Sequence, residues 1–491
     1  MAVNLSLSTL GTLPAEVGRP GYGRAALSPG IVHFGVGNFH RAHMAWYLDR
    51  LMDEGRDRDW AILGAGVMAG DRRMRDALEP QDWLSTVVTQ SAARSEARVV
   101  GPMIGFLPVG EPDAIHEALT HPGIRIVSLT VTEGGYFVDA ETGLFDATHP
   151  LIAADAGAPH APRTVFGHML RALAARRAAG VPAFTVLSCD NVPHNGDVTR
   201  AALAGLAGLF DQDLAAWVRA EVACPNGMVD RIAPATGARE RRILREEFGV
   251  EDAWPVFCED FAQWVLEDRF PAGRPALERV GVTFVEDVTP FETMKIRILN
   301  GGHAVIAYPS GLMDIEFVHE AMAHPLVAGF LDRVEREEIL PVVPPVPGTD
   351  IEAYLAKIVE RFSNPKIGDT ARRLCFDGSN RQPKFIVPTV ADRLAGGGGV
   401  EGLALASALW CRYCAGTTDG GRKIAPNDPA WDALKLRAAE ARRDPLAWLA
   451  MREVYGVVAD AAPFREAFAR HLAALWRDGT EAVLRGYLRA P

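Results

Sequence analysis

Residues 30–40 read G-I-V-H-F-G-V-G-N-F-H, a short apolar run that passes through two glycines into a helix-like segment. Gly35 and Gly37 match the first two positions of the dinucleotide-binding fingerprint, where glycine permits a tight turn and lets a pyrophosphate approach a helix N-terminus. His40 stands where the fingerprint has its third glycine. The pattern alone is a weak signal, so the segments around it decide its meaning.

Three later segments read as further strands of the same sheet, because each is a short apolar run bounded by turn-forming or polar residues. They are residues 60–66, 124–131 and 183–188, with helix-length segments between them. Thr132 and Glu133 follow one run and Asn191 follows another, at the strand ends where such sheets bind ligands. Asp71 has the topological place of the carboxylate that bonds the adenosine ribose, although it lies farther along than usual. The sequence therefore predicts an α/β fold with a doubly wound parallel sheet.

A bias in composition draws attention to one lysine. The chain has 51 lysines and arginines together, of which only six are lysines: Lys295, Lys357, Lys366, Lys384, Lys423 and Lys435. A guanidinium stays protonated at any ordinary pH, whereas a desolvated ammonium can lose its proton and act as a base. Lys295 is therefore a candidate for proton chemistry. The alternative is a surface lysine that escaped the bias.

The neighbours of Lys295 favour the chemical interpretation. If residues 292–303 form an α-helix, each residue advances by about 100° around the axis. Relative to Lys295, Glu292 then lies at about 60° and His303 at about 80°, while Asn300 lies at about 140°. A neutral lysine can accept the proton of a secondary alcohol, and an amide can hold the developing alkoxide. The alternative is a solvated polar face.

The glycine pair Gly301-Gly302 follows this polar arc. Each glycine weakens a helix by about 1 kcal/mol relative to alanine. Such a pair inside a helix therefore predicts that another group approaches the backbone closely at this point.

Composition and charge fit a large globular enzyme. With 491 residues, of which 48% are hydrophobic and 23% charged, the chain can bury at least two cores. The net charge of −11 argues against binding to nucleic acid or to an anionic membrane. The sequence has no long apolar run, and residues 1–14 lack the features of a signal peptide, so the cytoplasm is the expected location.

The pattern of predicted strands and helices changes at about residue 285, and this change divides the chain into two parts. Strands alternate with helices up to about residue 285, and long helix-like segments follow, such as 431–443. Proline-rich residues 341–348 read as a rigid connector, and the glycine run 396–399 reads as a loop. We therefore expect a dinucleotide-binding domain over 1–285 and a mainly helical domain over 286–491.

Neither the cysteines nor the clustered histidines predict a metal site. The six cysteines are scattered, and Cys411 and Cys414 have C-x-x-C spacing without a second pair nearby. Buried thiols are the expected reading, and a redox or zinc role is the alternative. His40 and His43 could share a helix face, but no cysteine or acid accompanies them.

Seven motifs in order give the chain a family resemblance. They are G-V-G-N-F-H-R-A-H at 35–43, T-E-G-G-Y at 132–136, S-C-D-N-x-P-H-N-G at 188–196, N-G-M-V-D-R-I at 226–232, D-A-W-P-V at 252–256, K-x4-N-x2-H at 295–303 and D-G-S-N-R-Q-P-K-F at 377–385. Together they span nearly the whole chain and resemble the long-chain mannitol dehydrogenase family, in its polyol-oxidising branch. The resemblance implies an expanded Rossmann-type domain followed by a mostly helical domain, in a protein that acts as a monomer.

The resemblance also implies roles for individual residues. Lys295 corresponds to the general base, and Glu292 to a relay that passes its proton to bulk water. Asn191 and Asn300 correspond to the amides that hold the reacting oxygen in place of a zinc ion, while His303 orients the substrate. The implied substrate contacts are Asp230, Arg373, Arg381 and Lys384. The implied cofactor contacts are Gly35, Gly37, Phe39, His40, Arg41, Asp71, Thr132 and Glu133. A structural role is the alternative for His40, Arg41, His194 and Asn195.

The implied reaction is the NAD-dependent, metal-independent oxidation of a polyol to a ketose at C2. D-mannitol to D-fructose is the first expectation, with D-arabinitol and D-sorbitol as alternatives. NADP is the weaker alternative cofactor, because Gly70 stands where NAD-preferring relatives often carry a second acid. Arg381 stands where relatives commonly have lysine.

Two other functions stay open. The cations Arg373, Arg381 and Lys384 could hold the carboxylate of a hexuronate, which makes a fructuronate-type reductase of the same family the alternative activity. A catalytically inactive sensor of nucleotides or sugars is the alternative from another class. Such a sensor would have lost Lys295 or its amide partners, and this chain keeps them.

Overall fold

The computed structural model describes residues 2–139 and 142–490. The chain folds into two compact units, an N-terminal unit that reaches Thr289 and a C-terminal unit that begins at Pro290. The boundary predicted between residues 285 and 286 lies shortly before this division.

The N-terminal unit contains the strands and nine of the α-helices that the structure describes. The strands are β1 (Val3–Asn4), β2 (Pro29–Phe34), β3 (Ala61–Ala65), β4 (Ser85–Gln90), β5 (Ser95–Val100), β6 (Met103–Phe106), β7 (Ile126–Leu129), β8 (Thr185–Ser188), β9 (Gly227–Asp230), β10 (Val250–Glu251), β11 (Val256–Glu259), β12 (Gln263–Glu267) and β13 (Thr283–Val285). The helices are α1 (Asn38–Ala42), α2 (Met44–Asp53), α3 (Asp71–Leu78), α4 (Pro112–Thr120), α5 (Pro150–Gly157), α6 (Val165–Ala178), α7 (Asn195–Gly208), α8 (Gln212–Glu221) and α9 (Ala238–Phe248).

Five parallel strands in the order β6-β3-β2-β7-β8 form the central sheet of this unit. Ile31 of β2 packs in one apolar cluster with Leu48 of α2, and Val32 packs in another with Leu119 of α4. Because neighbouring residues of a strand face opposite sides, these clusters show helices on both faces of the sheet. The predicted doubly wound fold is confirmed, with β6 as an edge strand that was not predicted.

Smaller sheets extend this core. Strands β11, β4 and β5 form one of them, and β13, β12 and β9 form another, while β1 pairs with β10. Strand β9 runs antiparallel to β12, with Asp230 opposite Gln263 at its end. The additions make the Rossmann-type domain an expanded one, as predicted, and β9 carries one of the predicted substrate contacts.

The C-terminal unit is built from helices. They are α10 (Thr289–Met294), which begins at the boundary, α11 (Gly301–Leu312), α12 (Val318–Ala323), α13 (Pro325–Val334), α14 (Ile351–Phe362), α15 (Ala371–Leu374), α16 (Gly378–Phe385), α17 (Val387–Ala395), α18 (Glu401–Cys414), α19 (Trp431–Ala441), α20 (Leu446–Leu449), α21 (Arg452–Tyr455), α22 (Ala462–Asp478) and α23 (Thr480–Arg489). Two segments are π-helical, Lys295–Asn300 and Glu335–Ile339. The predicted helical character of this half of the chain is confirmed.

The prediction of one α-helix over residues 292–303 is wrong in its middle. The chain passes from α10 through the π-helical segment Lys295–Asn300 into α11. In a π-helix the backbone bonds join residues five apart, so such residues lie about one turn from each other. Asn300 therefore follows Lys295 by one turn on the same side, and not at the angle of about 140° expected for an α-helix.

All six cysteines are buried and unpaired. Cys411 and Cys414 lie within α18, where burial raises the pKa of both thiols well above the ordinary value. This agrees with the expected buried thiols. Over the described residues, no helix combines the length and the apolar character that a membrane crossing requires.

Candidate active site

The glycine turn after β2 requires glycine at one position and is open at the other. Gly35 has a φ of +92°, and a Cβ atom there would lie 2.0 Å from the carbonyl oxygen of Thr130. At Gly37 a Cβ atom would meet only the carbonyl oxygen of Gly35, at 3.7 Å. The turn thus packs tightly against β7 on one side and has room on the other. A nucleotide pyrophosphate fits such an open glycine turn.

His40, at the place of the third glycine, lies in α1 and is buried against β2. Its ring stacks on that of His33, with the centroids 3.5 Å apart and the planes 14° from parallel. His33 is held in turn by the hydroxyls of Ser128 and Thr130, at 2.8 and 3.0 Å. Burial lowers the pKa of His33 to about 3 and that of His40 well below its ordinary value. Two neutral rings stack without repulsion, so His40 packs stably against β2.

Arg41 and Phe39 differ in how far they are exposed. The buried guanidinium of Arg41 donates to the carbonyl of Gly37 at 3.1 Å and to the Asn38 side chain at 2.9 Å. Arg41 therefore stabilises the glycine turn from within. The half-buried ring of Phe39 stacks on His43, at 4.8 Å between centroids. Phe39 thus keeps part of its surface beside the turn.

Asp71 lies in the first turn of α3, directly after β3. Its carboxylate accepts a hydrogen bond from the backbone N–H of Met68 at 2.9 Å. A Cβ atom at Gly66 would lie 2.5 Å from the Asp71 carboxyl group, so glycine is required there to accommodate this side chain. The Asp71 carboxylate is thus held against Gly66, directly after β3, where the sequence predicted a carboxylate.

The two arginines after Asp71 are both engaged elsewhere. Arg72 donates to the carbonyl oxygen of Val109 at 3.0 Å, and the Arg73 guanidinium lies over the Trp254 ring, 4.9 Å from its centroid. Neither is therefore free to rotate towards a phosphate beside Asp71 without losing a contact.

Asp190 joins two of the loops at the sheet edge, and the sequence interpretation missed it. Its carboxylate accepts from the backbone N–H groups of Val131 and Thr132, at 2.9 and 3.0 Å, and from the Tyr136 hydroxyl at 2.7 Å. It thus fixes the loop that carries Thr132 and Glu133, which are both exposed. Its position in the motif at 188–196, directly before Asn191, was the available signal.

Asn195 connects the predicted site residues of the next loop. Its amide donates to the carbonyls of Asp190 and Gly227, at 3.2 and 2.8 Å, and accepts from the Gly227 N–H at 2.9 Å. Gly227 begins β9 and Asp230 ends it, buried to 4% exposure. Through these bonds Asn195 ties the loop of the exposed Asn191 to the strand that carries Asp230.

In the C-terminal unit, Lys295 is buried, with 7% of its surface exposed, and so is Glu292. The alternative of a surface lysine is therefore wrong. Asn300, one π turn later, has a buried side-chain oxygen that bonds no group in the described part of the chain. The segment thus places a buried amine and a half-buried amide on the same side.

His303 follows in the first turn of α11. Its ring is buried and stacks on Phe362, with the centroids 4.1 Å apart, and its Nε2 bonds no group among the described residues. Burial, with further contributions from Arg373, Arg381 and Arg361, holds its pKa well below the ordinary value. A neutral imidazole can donate or accept one hydrogen bond, as substrate orientation requires.

The three predicted cations of the substrate site are not equivalent. Arg373 forms a bidentate ion pair with Asp369. Arg381 donates to the carbonyl oxygen of Leu374 at 2.7 Å, and Lys384 is exposed. The sequence interpretation treated them as clustered positive charges and missed Asp369, four residues before Arg373 in the chain. The carboxylate of Asp369 therefore offsets much of the positive charge of Arg373 within the protein.

Comparison with known families follows the two halves of the chain. Residues 29–279 match the family model described as mannitol dehydrogenase Rossmann domain, and residues 287–476 match the mannitol dehydrogenase C-terminal domain.

Within residues 2–139 and 142–490, no group of three or more His, Cys, Asp or Glu side chains is arranged to hold a metal ion.

Individual proteins are similar over nearly the full length. The mannitol 2-dehydrogenase of Cereibacter sphaeroides is 63% identical over 476 residues, which cover 97% of this chain and 99% of that protein. That of Pyrenophora tritici-repentis is 39% identical, over 96% of this chain and 84% of that protein. Among solved structures, Pseudomonas fluorescens mannitol 2-dehydrogenase in a ternary complex with NAD and D-mannitol superposes with a TM-score of 0.90, at 43% identity over 100% of both chains. A substrate-free D-sorbitol dehydrogenase also gives 0.90, at 35% identity over 98% of this chain and 100% of that one.

Proposed function

The chain belongs to the mannitol dehydrogenase family, and from this premise we propose that it oxidises D-mannitol to D-fructose at C2 with NAD. The observation that carries the proposal is the π-helical segment, which presents the buried Lys295 and, one turn later, Asn300. The neutral His303 follows at once. A base, an amide and a neutral imidazole are the groups that a metal-free alcohol oxidation needs.

Lys295 is the general base in this proposal. A buried amine gives up its proton more readily than an exposed one, so it can accept the proton of the C2 hydroxyl. As that O–H bond breaks, the carbonyl forms at C2, and a nicotinamide held by the N-terminal unit would accept the hydrogen of C2 as a hydride. In the reverse direction the Lys295 ammonium returns the proton to the carbonyl oxygen. Glu292, also buried, passes the proton on to bulk water.

Two amides and the histidine act on the same oxygen and its neighbours. Asn191 and Asn300 donate to the developing alkoxide, where one such donor is typically worth about 10²–10³ in rate. His303 orients the substrate through its Nε2 atom. Asp230 accepts hydrogen bonds from further hydroxyls, with Arg373, Arg381 and Lys384 as the remaining substrate contacts.

The N-terminal unit binds the cofactor, which supplies hydride acceptance when bound. The open side of the turn at Gly35 and Gly37 receives the pyrophosphate. Asp71 accepts from the ribose hydroxyls. Phe39, Thr132 and Glu133 belong to the same strand-end loops, whereas His40 and Arg41 support the turn from inside.

We also infer a monomer in the cytoplasm. The resemblance of the motifs to the family supports the monomer. Six unpaired thiols are typical of proteins from reducing compartments.

The first test is a substrate and cofactor panel. The purified protein should reduce NAD with D-mannitol at a higher kcat/KM than with D-arabinitol or D-sorbitol, and NADP should be a poorer acceptor with each polyol. The reason for the cofactor preference is Asp71, whose carboxylate bonds ribose hydroxyls and repels a 2′-phosphate. Absorbance of the reduced cofactor measures both comparisons. Absence of turnover with every polyol would refute the proposed function.

The variant Asp71→Ala locates the cofactor preference. It should narrow the ratio of kcat/KM between NAD and NADP, mainly by weakening NAD. Asp76→Ala, on the same helix and exposed, is the matched control and should leave the ratio unchanged. A wild-type protein that favours NADP, or an unchanged ratio in Asp71→Ala, would place the discrimination elsewhere.

Removal of metals should leave the activity intact. We expect the rate of D-mannitol oxidation after dialysis against a strong chelator to equal that of the untreated protein, because Lys295, Asn191 and Asn300 provide the charge stabilisation that a zinc ion would give. A zinc-dependent alcohol dehydrogenase treated in parallel is the positive control. Activity lost on chelation and restored by zinc would contradict the metal-free mechanism.

A further inference from the structure

Glu335 is a fully buried acid of the C-terminal unit. It begins the second π-helical segment, has 0% of its surface exposed, and neither carboxyl oxygen bonds a group among the residues that the structure describes. Burying a carboxyl group without a partner is unfavourable for folding. Such groups in native proteins therefore call for a role other than stability.

The carboxyl group of Glu335 is seated against Gly302. A Cβ atom at Gly302 would lie 2.8 Å from Oε1 of Glu335, 3.3 Å from Cδ1 of Leu331 and 3.5 Å from Cε2 of Phe362. The sequence predicted that another group approaches the backbone at the glycine pair, and at Gly302 that group is the side chain of Glu335. A methyl group at position 302 would thus displace the carboxyl group of an acid from the same unit.

Gly301 differs from its neighbour. The nearest atoms to a Cβ at Gly301 would lie at 3.7 Å, an ordinary contact distance, and they include Cδ1 of Ile339, the last residue of the second π-helical segment. The two π-helical segments therefore meet around the glycine pair, with space at Gly301 and none at Gly302.

The same contact reaches two of the proposed site residues. Asn300 ends the first π-helical segment, two residues before Gly302, and His303 follows Gly302 directly. Phe362, which borders the space at Gly302, also carries the stacked ring of His303. Burial raises the pKa of Glu335 well above the ordinary value of a glutamate, which favours the neutral form of the group. A neutral carboxyl group acts here by its size and planar form.

We propose that Glu335 is a positioning residue for the oxidation: its carboxyl group, seated against Gly302, fixes the turn that presents Asn300 and His303 to the substrate. The inference rests on the proposed roles of those two residues. It also gives a reason for the two π-helical segments that contact each other here. Such segments are rare in proteins and are frequent at functional sites.

The test compares substitutions that keep or change the form of the side chain. Glu335→Gln keeps the planar group without its acid proton, so its kcat for D-mannitol and its pH profile should stay close to those of the wild type. Glu335→Ala should lower kcat by about ten- to a hundredfold, as expected for misplaced catalytic groups, with a smaller change in KM. Glu338→Gln, at a buried acid of the same segment that bonds the N–H groups of Gly402 and Leu403, is the control and should retain the wild-type kcat.

The glycine pair provides a second, independent comparison. Gly302→Ala should lower kcat strongly because the added methyl group displaces the Glu335 carboxyl, whereas Gly301→Ala should not. In the double variant Gly302→Ala, Glu335→Ala the carboxyl group is already absent, so its kcat should equal that of Glu335→Ala and not fall further. Thermal unfolding of each variant shows whether it is folded, and the glutamine and glycine variants keep the test valid if Glu335→Ala does not fold.

The outcomes separate this inference from the proposed function. A wild-type protein that turns over no polyol refutes the function and the inference with it. An active wild type in which Glu335→Ala and Gly302→Ala keep the wild-type kcat refutes the positioning role alone. A loss in Glu335→Gln as large as in Glu335→Ala would show that the acid proton is used, which also overturns positioning by form.

Discussion

Lys295→Ala should fold as the wild type does and lose about 10²–10⁴-fold in kcat for D-mannitol oxidation, the usual contribution of a general base. Lys295 is buried in the π-helical segment, one turn before Asn300, so bulk water is a poor substitute for its amine. Lys295→Arg should be almost as damaging, because a guanidinium cannot accept the proton. The measurements are kcat from cofactor absorbance and the thermal unfolding midpoint of each variant.

Two controls make the assignment to a base specific. Lys357→Ala removes a partly exposed lysine that pairs with Glu360, and it should leave kcat unchanged. Small primary amines added to Lys295→Ala should restore part of the rate, as they replace the missing base. Oxidation by Lys295→Arg at a rate near that of the wild type would remove Lys295 from this role.

The second large effect concerns the substrate. In NADH-dependent reduction, kcat/KM for fructose should exceed that for fructuronate by about 100-fold or more, a discrimination within reach of a site built for hydroxyl groups. Asp230 is buried and would repel a substrate carboxylate. Arg373, which could attract one, already has Asp369 as its partner.

The ion pair of Arg373 offers a direct test of that argument. Asp369→Asn frees the guanidinium, so fructuronate should gain relative to fructose in this variant. Asp392→Asn, which breaks the ion pair with Arg297 at 2.6 Å in the same unit, is the matched control and should not change the ratio. A wild-type kcat/KM for fructuronate 100-fold above that for fructose would instead make the chain a hexuronate reductase, and Arg381 the first residue to exchange.

The sequence was sufficient for four of the five strands of the central sheet, β2, β3, β7 and β8, because its signals are local. A strand buried on both faces is apolar along its length, and Gly35 can be no other residue, since its backbone is left-handed and a carbonyl oxygen fills the place of a Cβ atom. The predicted burial of the thiols followed from the scattered cysteines and from the absence of a second C-x-x-C pair. His40 shows the limit, because only the structure reveals that a histidine at the third fingerprint position packs on His33.

The sequence predicted a set of candidate site residues, but it did not predict the geometry around Lys295. Every azimuth around Lys295 assumed 100° per residue, and no pattern in K-I-R-I-L-N announces a π-helical turn, which depends on contacts distant in sequence. Glu335 lies in E-R-E-E-I, which reads as a solvated helix face. Asp190 was passed over beside Asn191, and the pairing of Asp369 with Arg373 depends on side-chain conformations that sequence spacing does not fix.

The distribution of the cysteines has a practical consequence for measuring how the protein opens. Cys189, Cys224 and Cys258 lie in the N-terminal unit, and Cys375, Cys411 and Cys414 in the C-terminal unit, all of them inaccessible in the native state. A thiol reagent can therefore modify the folded protein only through transient opening, at rates that report the free energy of that opening. Mass spectrometry of the labelled peptides would follow the two units separately in the unaltered protein, without any engineered probe.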